Sequence, residues 1–174
     1  MKLLFLAIAA TSFFQIQKCE ALNISDIIGN WKLKGTVVEY GKKIQLTGPT
    51  TITSEMIGYD WEGGPYQATV VRSYIKIKGA PQIFSEEFFF DDGDYYSSTS
   101  EGNSAGEAFE ESYGNWEVSE NKIYLNISSY YYDTDEEIYS ASYTYTVKGR
   151  KKIVVSGTSS VGGRASAVYT RKGK

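Results

Sequence analysis

The stretch Ile138-Tyr139-Ser140-Ala141-Ser142-Tyr143-Thr144-Tyr145-Thr146-Val147 decides the fold. Tyr139, Ala141, Tyr143, Tyr145 and Val147 fall on one parity, and Ser140, Ser142, Thr144 and Thr146 on the other. Successive strand side chains point to opposite faces, so this is a wall with a core on one side and water on the other. Upstream, residues 122–128 repeat the pattern, with Ile123, Leu125 and Ile127 on one face and Tyr124 and Asn126 on the other. Further alternating runs occupy residues 31–40, 68–78, 83–90, 95–100, 109–118, 152–156 and 165–171, with a weaker one at 50–57. Polar turns separate them, among them Asp91-Asp92-Gly93-Asp94, Ser119-Glu120-Asn121 and Lys148-Gly149-Arg150. Residues 40–65, punctuated by Gly48-Pro49 and Gly63-Gly64-Pro65, read as a long loop or lid carrying an imperfect strand. Helical periodicity is confined to residues 24–28, with Asn23 or Ser25 as cap and Gly29 as stop. Strands at this spacing form a meander, and a meander removes its two edges by closing on itself. The expectation is one all-β domain over residues 22–174, an up-and-down antiparallel barrel of about eight to ten strands.

The start of the chain reads as an address. Lys2, an apolar run from Leu3 to Ala10, and the small residues Cys19 and Ala21 around Glu20 have the layout of a secretory signal peptide over residues 1–21. Its apolar core is far shorter than the ~20 residues a spanning helix needs, so no membrane span is expected after cleavage. Cys19 is the only cysteine, which leaves the cleaved chain without a disulfide in an extracellular or periplasmic setting. Cleavage shifts the formal charge from −3 to −4, a poor match for nucleic acid. The 15 Tyr and 8 Phe beside 3 Pro favour half-buried strands over helices. Histidine is absent, which excludes Ser-His-Asp and Cys-His nucleophiles and ordinary zinc sites. No catalytic residue, metal or cofactor is expected.

The order of several short motifs resembles the lipocalin-like domains, the small bacterial-type barrels of the lipocalin and calycin superfamily. Gly29-Asn30-Trp31 looks like the Gly-x-Trp signature of lipocalins, and Tyr169-Thr170-Arg171 like the terminal Tyr-x-Arg. Between them lie Phe88-Phe89-Phe90-Asp91-Asp92-Gly93-Asp94-Tyr95, Gly114-Asn115-Trp116-Glu117-Val118, Lys122-Ile123-Tyr124-Leu125 and Tyr145-Thr146-Val147-Lys148-Gly149. The chain departs from secreted lipocalins in lacking a disulfide and the mid-chain Thr-Asp-Tyr-like motif. The resemblance implies that Trp31 packs at a closed barrel end against Arg171, as a structural pair.

Candidate sites follow from alternation and composition. A barrel interior lined by Ile75, Ile77, Phe88, Phe90, Ile123, Leu125, Tyr143 and Tyr145 would hold one small hydrophobic ligand, with tyrosine hydroxyls orienting it. Residues Tyr130, Tyr131 and Tyr132 would then sit at the barrel mouth. The alternative is a secreted structural or interaction protein, its barrel filled by its own aromatics and its Tyr-rich surface serving partners or self-association. A dry interior favours the second reading; a cavity of ~300–1,000 Å³ counts against it. Paired carboxylates among Glu86, Glu110 and Glu111 could in principle serve glycoside hydrolysis, yet nothing in the sequence fixes their separation. The acidic groups Asp91, Asp92, Asp94 and Asp133, Asp135 read as turns rather than calcium loops. Asn23 and Asn126 both stand in Asn-x-Ser acceptors for glycosylation.

Overall fold

The computed structural model describes residues 22–58, 65–102, 108–131, 134 and 136–173. The expected signal peptide, Cys19, Tyr132, Asp133 and Asp135 lie outside them. A 3-10 turn (Ile24–Ile27) leads in, with the Asn23 side chain accepting a hydrogen bond from the Ser25 amide. Ten strands follow: β1 (Gly29–Glu39), β2 (Lys42–Ile57), β3 (Tyr66–Ile77), β4 (Ile83–Phe90), β5 (Asp94–Glu101), β6 (Ala108–Ser119), β7 (Lys122–Tyr131), β8 (Glu137–Lys148), β9 (Lys152–Ser159) and β10 (Arg164–Arg171). Each pairs antiparallel with its sequence neighbours, and β1 pairs antiparallel with β10, so the sheet closes with no edge left open.

The region read as an irregular loop is instead the longest strand, β2, at 16 residues. The misleading signals were Gly48 and Pro49. Proline lacks an N–H, and the β2–β3 ladder is interrupted there, between the Thr47–Lys76 and Thr50–Ser73 pairs, then resumes in the same register. At Gly48 a Cβ would meet the Tyr74 carbonyl oxygen at 1.8 Å, so only glycine lets the two backbones approach.

The main core lies at the closed end, where strand termini and the 3-10 turn converge. It is built by Trp31, Leu33, Phe89, Leu125, Ile153 and Val155, among others. Trp31 is fully buried, and its Nε1 donates to the Ile27 carbonyl at 2.8 Å, which fastens the 3-10 turn across the barrel end. Arg171 is the direct cross-strand partner of Trp31. Its guanidinium carbon lies 5.2 Å from the Trp31 ring centroid, and it donates to the carbonyls of Asp26 (3.1 Å), Arg150 (3.1 Å) and Ile28. Gly29, at φ +140°, leaves the room this side chain needs, since a Cβ there would stand 2.9 Å from a guanidinium nitrogen.

On the outer wall, Arg72 ties three strands together. It donates through Nε to Glu86 at 2.6 Å and through a terminal nitrogen to Glu55 at 3.0 Å. The pairing holds the Glu55 carboxyl down at about 2.

Trp31→Ala is expected to lower stability by about 3–5 kcal/mol, as the loss of a fully buried aromatic with its hydrogen bond. Arg171→Ala is expected to cost less and to release amide exchange protection selectively in residues 24–31. Urea unfolding and hydrogen exchange read the two effects, and uniform loss of protection in the Arg171 variant would contradict the local role.

Candidate functional site

Register stacks the inward side chains in layers along the barrel axis. The lowest layer is apolar. A void of about 30 Å³, lined by Ile52, Phe89, Trp116, Ile123, Tyr145 and Tyr169 among others, lies above the 3-10 turn and is too small for an organic ligand. Trp116 closes its side by donating from Nε1 to the Phe90 carbonyl at 2.9 Å.

Above it the wall turns polar. Thr50 and Ser73 share a hydrogen bond of 2.9 Å, Ser112 and Ser129 one of 2.7 Å, and all four hydroxyls are buried. Paired hydroxyls satisfy each other, which is how small polar residues sit inside a barrel at little cost. Facing them, Tyr139, Tyr143 and Tyr145 project inward from β8. Gly157 on β9 gives the Tyr143 ring its place, because a Cβ there would come within 2.2 Å of a ring carbon. Toward the open end the lumen widens into a cavity of about 340 Å³, lined by Val37, Glu110, Tyr131, Tyr139, Tyr143 and Ala165 together with rim residues. Glu110 accepts a hydrogen bond of 2.9 Å from the Tyr139 hydroxyl.

Glu87 is the unusual member of the lumen. It lies on β4 between Ile83 and Phe89, at the inward parity, and is half-buried within the barrel wall. Tyr95 and Tyr145 donate to its Oε2 at 3.3 and 3.5 Å. Among the described residues its Oε1 has no protein hydrogen bond and Glu87 forms no ion pair. Loss of solvation is the larger influence and pushes its carboxyl up to about 7, against the two tyrosine hydrogen bonds that favour the anion. The surrounding phenols move the same way: burial first, then the Glu87 charge, lifts Tyr143 to about 12 and raises Tyr145 and Tyr169 well above the usual phenol range.

The residues expected in the lumen divide. Ile123 and Tyr145 line the lower void, Tyr143 lines the upper cavity, and Leu125 is buried in the core between strands. Ile75 packs on the same core, while Ile77 stands opposite Leu46 near the open end. Phe88 and Phe90 are a correction: they lie on the outer face, in a separate cluster with Ala68 and Val70. Phe89 takes the inward position between them. Three consecutive phenylalanines are apolar on both faces, so alternation alone could not assign the parity. The outward pair begins a band of neighbouring rings that continues through Tyr96, Tyr113 and Tyr130. Of the former triplet at the mouth, Tyr131 lines the cavity and Tyr130 joins that outer band.

The carboxylates considered for hydrolysis do not assemble. Glu86 is held by Arg72 and Glu111 accepts from Tyr96 and Tyr113, both on the outer face, whereas Glu110 faces the lumen. Asp92 makes a turn contact to the Asp94 amide at 3.1 Å, and no group of metal-ligating residues occurs among those described. Asn126 lies exposed on the outer wall, bonded to the Ser142 hydroxyl at 2.7 Å. Glu87 and Tyr95 went unread in the sequence, whereas Tyr145 was expected in the lumen. The available signal for Glu87 was its shared parity with Ile83, four places before it, and Phe89, two places after.

No protein-family model and no curated protein matches the sequence. Solved structures do. An S-type phycobiliprotein lyase, CPES from Guillardia theta, superposes with a TM-score of 0.52 at 8% identity, covering 87% of this chain and 91% of its own. Rv2717c from M. tuberculosis gives 0.50 at 14% identity, covering 86% and 95%. The likeness is one of fold. A redesigned β barrel solved bound to DFHBI, mFAP1, is more distant at 0.42 and 14% identity, over 85% and 97%.

Glu87 carries a sign that can be checked. Its carboxyl sits at about 7 in the fold against 4.5 for the free group, so the folded state binds the proton more tightly. The resulting stability is fully present below pH 4.5 and is lost as pH rises toward 7. Glu87→Gln is therefore expected to gain about 3 kcal/mol over the native chain at pH 8 relative to pH 4, read by urea unfolding at both values. Equal differences at the two pH values would contradict the buried, uncompensated carboxylate.

Proposed function

We propose that the chain is a non-enzymatic binding protein of the lipocalin-like kind, secreted after loss of residues 1–21, that takes one small ligand through its open end. The observation that carries this reading is the cavity of about 340 Å³ above a packed closed end. That volume falls within the ~300–1,000 Å³ of small-molecule sites. It counts against a barrel filled throughout by its own aromatics.

On this reading the ligand carries a polar group beside the hydrophobic body that alternation suggested. The most apolar inward surface is consumed by the closed-end core, and the space that remains is lined by hydroxyls, the Glu39 and Glu110 carboxylates and Arg164 as well as apolar side chains. An amphipathic molecule fits such a wall, its body against Val37, Ala165 and the tyrosine rings and its polar group toward the hydroxyls. The interaction-module reading keeps one observation in its favour, the outer band of aromatic rings. Sedimentation that stays monomeric at every concentration would remove self-association through it.

Native mass spectrometry of the protein taken from its own source is expected to show a non-covalent adduct of small mass. Ala165→Phe, which fills the mouth from an inward position on β10, is expected to lose that adduct while remaining folded by circular dichroism. Bare polypeptide from the native source, with Trp fluorescence indifferent to small amphiphiles, would overturn the reading.

A further inference from the structure

The lumen has a charge as well as a shape. Below the rim, the inward positions of the described strands carry two acids, Glu87 on β4 and Glu110 on β6. The inward base away from the mouth, Arg171, is at the closed end, occupied by three backbone carbonyls and the Trp31 ring, while Lys42 holds the inward parity at the rim. At the mouth the charges are mixed: Glu39 stands across from Lys42, and Arg164 lines the same cavity. A carboxylate withdrawn from water and lacking a cationic partner is expensive to keep charged, and the described residues offer Glu87 no countercharge within hydrogen-bond reach. Among the described residues its Oε1 has no hydrogen-bond partner, although Oε2 has two donors.

Resting on the binding reading above, we propose that the ligand is a small organic cation, a protonated amine with a compact apolar body, whose ammonium pairs with Glu87 Oε1. An ammonium donates up to three hydrogen bonds and accepts none, which matches an acceptor-only oxygen. Tyr145, which donates to Oε2, and the electrostatically coupled Tyr143 add aromatic rings of the kind that attract a cation. The body of the ligand then points up the barrel into the space lined by Val37, Tyr139, Tyr143 and Ala165. At about 340 Å³ that space suits a single ring with a short chain rather than a lipid tail. Anionic ligands such as fatty acids are disfavoured by the same two carboxylates.

The groups facing Glu87 leave its titration legible. Tyr95 from β5, Tyr143 and Tyr145 from β8 and Tyr169 from β10 are all raised and stay protonated through neutral pH. From β3, its cross-strand neighbour is the uncharged Val71, and Glu110 on β6 is engaged by Tyr139.

The test is a matched series, 4-phenylbutylamine, 4-phenylbutanol and 4-phenylbutyrate, titrated by calorimetry against the full folded chain at pH 5.5 and pH 8. The amine is expected to bind at least tenfold more tightly than the alcohol at pH 8, to lose most of that margin at pH 5.5, and to leave the butyrate without measurable binding. Glu87→Gln is expected to bring the amine down to the alcohol, while Glu117→Gln on the outer wall leaves the margin intact. Equal binding of amine and alcohol, or tighter binding of the butyrate, overturns the cation assignment yet preserves a ligand-binding lumen. Binding of none of the three also overturns it, and the native-source adduct then decides the lumen separately. A margin that survives Glu87→Gln places the cation elsewhere and overturns the role of Glu87.

Discussion

Closure of β1 against β10 is the constraint from which the rest of the molecule follows. It brings Trp31 beside Arg171, two residues 140 positions apart, and fixes the register of every strand between them. Because side chains alternate, a one-residue slip at this seam would turn the whole inward set outward. The seam is held by more than its ladder. Trp31 is buried beneath the Arg171 guanidinium, and both groups hydrogen bond to the 3-10 turn that plugs the end. A disulfide-free chain thereby gains, through an indole and a guanidinium, a covalent-free fastening of its two termini.

The plug divides the interior into two unlike halves. Large apolar groups from the strand ends meet the 3-10 turn and leave space for about one water, while higher in the barrel small hydroxyls face tyrosines and leave a cavity. The contrast is one of side-chain volume. Serines and threonines on β2 to β7 are short, and where they line the wall the tyrosines opposite do not reach across to fill the gap. Their hydroxyls pair with one another, so the polar wall is satisfied without water. Glu87 sits at the transition, bonded to the Tyr145 that also lines the lower void and electrostatically coupled to the Tyr143 that lines the upper cavity.

The outer wall also buries apolar surface. Ala68 and Val70 are fully covered, although they face away from the barrel axis, because Phe88 and Phe90 on the neighbouring strand lie over them. A second, smaller core outside the barrel explains why β3 and β4 read as apolar on both parities. Antiparallel strands that are wet on one side show clean alternation, and these strands are not wet on that side.

The sequence by itself determined the class of the fold, the strand positions on β5 to β10 within a few residues, the capped turn before Gly29, and, through motif order, the partnership of Trp31 with Arg171. Those features are local or carried by repeated alternation, which a chain cannot hide. Only the tertiary structure decided which face of β4 looks inward, because Glu86, Glu87 and three phenylalanines in a row offer no polarity difference between parities. Only the structure made Gly48-Pro49 part of a strand, since a broken ladder is tolerable where neighbours on both sides hold the register. The candidate site was legible in its tyrosines and hidden in its acid. Tyr143 and Tyr145 share a face in any strand, whereas the surroundings of Glu87 come from β5, β8 and β10, and no property of one strand foretells what the closed barrel sets around it.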